Sequence, residues 1–229
     1  MTTLSSALSS KNWGDIASSS DGTKLAAVVP NGYIYTYTES DAYWTKRTTA
    51  GVRMWSGIAC SSDGTKLVAT ATNDYIYTST DSGATWTEQT GSGSRNWSSI
   101  ASSSDGVKLA ATATNGNIYT STDSGATWTA RTNSGTKLWN SIASSGDGVK
   151  LAATVVSGYI YTSADSGVTW TERIGSGSRL WGGIASSVDG VALVATIGAN
   201  SGFIYTSGQW CDMEFRCRVP ELEVYCVFC

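Results

Sequence analysis

The stretch from Trp97 to Trp128, WSSIASSSDGVKLAATATNGNIYTSTDSGATW, decides how this chain is read. It opens on small and apolar residues, Trp97-Ser-Ser-Ile100-Ala-Ser, which suit an inner strand with little room around it. Asp105-Gly106 then makes a tight turn, because glycine tolerates positive φ and aspartate bonds backbone N–H groups ahead of it. Leu109 to Thr114 is predicted as the second strand, and Asn115-Gly116 turns the chain again. Ile118 to Ser121, β-branched and aromatic, is the third, and Thr127 to Thr129 the fourth. No segment carries apolar residues at i, i+3, i+4 and i+7, so almost no helix is expected.

The same text recurs along the chain. Trp13, Trp55, Trp97, Trp139 and Trp181 follow one another at a constant interval of 42 residues. Ile58 to Thr87 and Ile100 to Thr129, 30 aligned positions, differ at five of them, Cys60, Thr65, Val68, Asp74 and Tyr75, so the repeats must do nearly the same thing. A self-similar unit of about 40 to 45 residues, rich in Thr, Tyr, Trp, Ile and Val with glycine turns, is the signature of a β-propeller with one four-stranded blade per repeat. Five repeats predict an all-β, five-bladed β-propeller of four-stranded antiparallel blades. The five tryptophans are then expected in equivalent places about 72° apart, the rotation that closes five equal units.

The turn between the third and fourth strands carries the most specific motif. It reads Ser79-x-Asp81-x-Gly83-x-Thr85-Trp86, then Ser121-x-Asp123-x-Gly125-x-Thr127-Trp128, then Ser163-x-Asp165-x-Gly167-x-Thr169-Trp170. The first copy is degraded to Tyr37-x-Glu39-x-Asp41-x-Tyr43-Trp44, and the last breaks off after Ser207-x-Gln209-Trp210. The motif resembles the Asp-box, or sialidase-type repeat, of a large group of propeller proteins, over about residues 11 to 210. Each carboxylate is placed to accept N–H bonds within its hairpin, the glycine to take the left-handed position, and the tryptophan to pack its ring over the hairpin. The resemblance implies a structural element away from any active site. A single carboxylate per hairpin also falls short of the six to eight oxygens that Ca²⁺ takes.

Composition sets the remaining bounds. Residues 1–210 are read as one propeller and 211–229 as a tail of different composition that holds four of the five cysteines, Cys211, Cys217, Cys226 and Cys229. Their C-x5-C-x8-C-x2-C spacing is compatible with zinc or disulfides, but an appended, unrelated tail is the simpler reading. Cys60 stands where other repeats have serine and reads as a small buried residue. The segment Thr2 to Ser9 has the phase of a fourth strand and is expected to complete the last blade, with the tail as its competitor for that place. A formal net charge of −3 argues against nucleic acid or anionic membrane as partner. No apolar run is long enough to span a bilayer, and no signal peptide is visible at the start, although an extracellular or surface setting suits the composition better than the cytoplasm.

The Asp-box resemblance brings sialidases and other glycoside hydrolases into view. These need a non-repeating set of groups: an arginine cluster, a tyrosine nucleophile with an acidic partner, or a carboxylate pair. Here most charges are spent on the repeat, and there is no histidine to serve as general base or metal ligand. No catalytic residue, cofactor or metal is therefore expected. The candidate binding site is instead the basic residue two before each tryptophan, Lys11, Arg53, Arg95, Lys137 and Arg179, together with Trp13, Trp55, Trp97, Trp139 and Trp181. Aromatic rings beside guanidinium groups suit sugars or small anions, and five weak sites add through avidity. The competing reading makes each tryptophan an inter-blade packing residue and each base a solvated loop charge. The sequence thus points to a non-enzymatic recognition or assembly module, with glycan or another protein chain as partner. The alternative is a structural subunit of a larger assembly, and a sialidase-like hydrolase comes third.

Overall fold

A computed structural model describes residues 10–198 and 203–207, together with the backbone of 216–217. The third repeat forms strands Arg95–Ser102, Leu109–Gly116, Ile118–Ser121 and Thr129–Arg131, paired antiparallel in sequence order. The second and fourth repeats fold alike from Arg53–Cys60 and Lys137–Ser144 onward. The first is built from Asp15–Ser18, Lys24–Val28, Ile34–Thr38 and Trp44–Arg47. The fourth strand lies later than the sequence suggests, starting at Thr129 and not at Thr127. Trp128 looks like a strand residue but folds back, its Nε1 donating to the Gly125 carbonyl at 2.9 Å, and so belongs to the hairpin. One-turn 3₁₀ segments, Thr90–Ser92, Thr132–Ser134 and Ile174–Ser176, lead from one unit to the next. Each is pinned by its last serine, whose hydroxyl accepts the N–H of Ile76, Ile118 or Ile160 at 3.1 Å.

Side chains alternate across each sheet, and both faces of the inner units are packed. The trailing face of one unit meets the leading face of the next. Ala26, Val28 and Ile34 of the first pack on Trp55, Ile58, Leu67, Ala69 and Tyr77 of the second. Val68 and Ile76 of the second pack in the same way on Trp97, Ile100, Leu109, Ala111 and Tyr119 of the third. The pattern continues through Ile118 with Trp139 and Tyr161, and Ile160 with Trp181 and Tyr205. Polar links repeat at the same interval. Backbone N–H groups of Ser20, Ser62, Ser104 and Gly146 donate to the carbonyls of Ser62, Ser104, Gly146 and Val188 at 2.7 to 2.8 Å. Lys24, Lys66 and Lys150 reach the carbonyls of Asp63, Asp105 and Asp189.

The two ends of this stack differ from its middle. Trp55, Trp97, Trp139 and Trp181 are each 1% exposed, whereas Trp13 is 41% exposed and Ile16 62%. At the far end, Val194 and Ile204 are 37% and 54% exposed, although their counterparts Val68 and Ile76 are buried. The expected equivalence of the five tryptophans therefore holds for four, and no apolar cluster among the described residues joins the first unit to the fifth. In the fifth unit Arg179–Ser186, Leu193–Ile197 and Ile204–Ser207 are followed by Arg216–Cys217, which pairs with Tyr205 and Thr206. That strand comes from the tail; the segment Thr2 to Ser9, proposed for this place, lies outside the described residues, as do Cys211, Cys226 and Cys229. Cys60 is only partly buried, and its thiol donates to the Ser18 carbonyl at 3.1 Å, linking the first two units. Burial, with Asp63 nearby, pushes that thiol up to about 11.

Candidate functional site

In units two to four the basic residue two before the tryptophan is the first residue of the inner strand, and in a strand positions i and i+2 share a face. The tryptophan enters the core, and the base comes to rest over the tyrosine that the same tryptophan touches. Trp97 and Tyr119 meet edge to face with centroids 5.1 Å apart, and the Arg95 guanidinium lies 4.4 Å from the Tyr119 centroid. The corresponding cation–ring distances are 5.4 Å for Lys11 on Tyr35, 4.3 Å for Arg53 on Tyr77, 5.0 Å for Lys137 on Tyr161 and 5.0 Å for Arg179 on Tyr205. Nε of Arg53, Arg95 and Arg179 also donates to the carbonyl of Ala50, Ser92 or Ser176, tying down the preceding linking turn. The five cations are thus held in one repeating setting.

The tryptophans do not join them as a ligand surface. Trp55, Trp97, Trp139 and Trp181 are sealed between units, which corrects the expectation that their rings face a ligand. Three of these indoles spend their N–H on carbonyls of Gly32, Gly135 and Gly177. What the structure gathers is a ladder of cations with tyrosines beneath.

One rung is different, and the sequence pattern did not reveal it. In the second unit Arg53 Nη1 bonds Asp74 Oδ2 at 2.9 Å, with Glu88 at 3.9 Å from Nη2. The Tyr77 hydroxyl donates to Glu88 at 2.8 Å and lies 3.2 Å from Asp74. The available signal was that Asp74 stands where the third repeat has Gly116. Burial, then the hydrogen bond to Glu88 and the charge of Asp74, hold the Tyr77 phenol well above its usual range. Tyr77 therefore stays protonated, and Arg53 alone among the three arginines is ion-paired among the described residues.

The Asp-boxes have a different geometry. Asp123 Oδ1 accepts the Thr127 N–H at 2.9 Å and the Ser121 hydroxyl at 2.7 Å, and Oδ2 accepts the Thr127 hydroxyl at 2.6 Å. Ser121 Oγ in turn accepts the Gly125 N–H at 2.9 Å. Asp81 and Asp165 repeat this network with Thr85 and Thr169, and Trp86 and Trp170 close their hairpins on the carbonyls of Gly83 and Gly167. The hydroxyl and N–H of Thr85 hold the Asp81 carboxyl down at about 2, and Asp123 is lowered through Thr127 in the same way. The carboxylate is a cap for its own hairpin. It is also largely open to water, so Asp123→Ala is expected to cost about 0.5 to 2 kcal/mol, the range of a capping side chain. A folded-state value below the unfolded one makes this stabilisation complete above pH about 4 and progressively lost as pH falls below it. Melting curves across that window should therefore converge for Asp123→Ala and wild type at the acid end.

The comparisons with known proteins bear on the fold. No protein-family model matches the chain, and no curated protein matches it. Among solved structures it is similar to an ancestral GH74 enzyme, with 14% identity and a TM-score of 0.72, covering 98% of this chain and 34% of that one. It is also similar to YCF48 bound to D1 peptide, with 17% identity and a TM-score of 0.63, covering 85% of this chain and 64% of that one. Both are β-propellers, so the fold here is all-β and of propeller type. The chain spans about a third of the first and under two thirds of the second.

Proposed function

We propose that this chain is a non-enzymatic recognition module of the Asp-box type, with each 42-residue repeat one propeller blade, five in all, binding an anionic chain through Lys11, Arg53, Arg95, Lys137 and Arg179. The observation that carries this reading is the cation–tyrosine pair repeated in all five blades. Seating a guanidinium on a ring and pinning its Nε to a carbonyl removes the mobility that binding would otherwise cost, while Nη1 and Nη2 keep donors for a carboxylate or sulfate. With four of the five tryptophans buried, neutral sugars lose most of their stacking platforms. Acidic glycans or acidic peptides suit the row better, and the peptide held by YCF48 makes peptides a natural probe. Against a hydrolytic role stand the box carboxylates, all engaged in their own hairpins, and a Tyr77 that resists ionisation.

The test is binding to immobilised polysulfated glycan and to polyglutamate. Arg95→Ala alone is expected to weaken binding several-fold. Arg53→Ala should do less, because Asp74 and Glu88 already engage that guanidinium. Arg53, Arg95 and Arg179 replaced together should lower affinity by about 100-fold or more, since avidity multiplies losses over linked sites. Stability should fall by the cation–π contact and the Nε bond to the linking turn together, about 1 to 2.5 kcal/mol per site. Unchanged binding in the triple variant would remove this row as the ligand site.

A further inference from the structure

We propose that the trailing face of the fifth blade docks on the leading face of the first blade of a second copy of this chain, joining copies head to tail. Trp13 and Ile16 at one end and Val194 and Ile204 at the other stay exposed, although the internal joints bury their counterparts Trp97, Ile100, Val68 and Ile76. On the trailing side, Val194 and Ile204 are the residue types of Val68 and Ile76, which the third blade covers completely. On the leading side, Trp13, Ile16, Leu25, Ala27 and Tyr35 stand where Trp97, Ile100, Leu109, Ala111 and Tyr119 receive that pair. Trp13 and Tyr35 already hold the edge-to-face arrangement of the buried pairs, with centroids 5.4 Å apart. The receiving surface is preformed.

The backbone continues the argument. The ladder of N–H to carbonyl bonds that steps from Ser20 to Val188 ends with no onward partner for the Val188 N–H among the described residues, and the Ser20 carbonyl has no donor there. Donor and acceptor sit at opposite ends, in the places that every internal joint couples. One polar link is absent from the new joint: Ala192 stands where Lys24, Lys66, Lys108 and Lys150 do, so no lysine spans from the fifth blade to the Asp21 turn. Val188 is the counterpart of Ser20, Ser62, Ser104 and Gly146, and it adds exposed apolar surface at the same edge. An end that has lost a lysine and gained a valine is better matched to an apolar, uncharged contact. Because the two faces differ, the contact is heterologous, and it propagates into a ring of copies or a filament.

The inference rests on the blade reading and not on the cation row, so binding of polyglutamate serves as an independent readout. Sedimentation of the full chain should show mass growing with concentration beyond a monomer. Ile16→Glu spoils only the leading face, and Ile204→Glu only the trailing face. Both positions are exposed in the free chain, so each variant should melt like wild type and still bind polyglutamate. Each alone should stay monomeric, yet an equimolar mixture should form a one-to-one dimer that grows no further, because each copy keeps the face the other lacks. Val194→Lys serves in place of Ile204→Glu if that variant does not fold. A wild-type chain monomeric at all concentrations overturns the proposal, and so does association that survives both substitutions. A monomer whose Val188 amide is strongly protected from hydrogen exchange also overturns it, since the two faces would then meet within one chain.

Discussion

Trp139→Ala is expected to cost about 3 to 5 kcal/mol, the range for deleting a fully buried aromatic ring, whereas Trp13→Ala should cost about 1 kcal/mol or less at concentrations where copies stay apart. The two residues occupy the same place in their repeats and differ in what lies beyond them. Trp139 is 1% exposed, edge-on to Tyr161 at 5.2 Å and tilted against Trp170 at 6.3 Å. Its Nε1 also holds the Gly135 carbonyl at 3.2 Å, so truncation strands an acceptor as well as opening a cavity. Trp13 touches Tyr35 and Trp44 but is 41% exposed, with no blade in front of it among the described residues. Urea unfolding followed by tryptophan fluorescence measures both. Stacked repeats unfold as coupled neighbours, so Trp139→Ala should also broaden the transition by weakening a central joint. Equal losses would mean that Trp13 is buried in the isolated chain and that the first and fifth blades meet within it.

Much of this fold is legible in the chain itself, for a physical reason: repeats whose blades face the same neighbours need the same residues. The 42-residue interval, the Asp105-Gly106 turn and the Asn115-Gly116 turn place the first three strands of the third repeat close to where they lie. The fourth strand is misplaced by two residues because propensity reads Trp128 as a strand former, while its indole N–H is committed to Gly125. Which face carries Trp97 inward was not legible either. Alternation separates the two faces of a strand but says nothing when neighbours bury both. Likewise, an arginine two residues before a tryptophan reads equally as a ligand group or a solvated charge until Tyr119 is found beneath it. The Arg53–Asp74–Glu88 group joins three strands, and no local pattern links them. Closure is hidden for another reason. A repeat count does not give the angle between neighbouring units, which follows from side-chain volumes at their joints, and a ring closes only where count and angle agree.

The sharpest measure of those joints is a single methyl group. Gly83→Ala is expected to destabilise by about 2 to 5 kcal/mol, combining a left-handed backbone cost of about 1 to 2 with an overpacking cost of about 1 to 3. Gly83 has φ of +85°, and a Cβ there would lie 2.7 Å from Thr36 Cγ2 and 3.1 Å from Leu67 Cδ1. Thr36 belongs to the preceding blade and is itself buried, so it has no free space to move into. The Asp-box glycine is therefore required twice, by its own turn and by the blade it leans on. Gly22 separates the two requirements: its φ is +73°, but nothing lies within 4 Å of a Cβ built on it. Gly22→Ala should thus lose only the backbone share, about 1 to 2 kcal/mol. Chemical denaturation of both variants decides the matter. If Gly83→Ala loses no more than Gly22→Ala, the blades yield at the box, and the hairpin's tie to its own carboxylate matters more than its fit against Thr36.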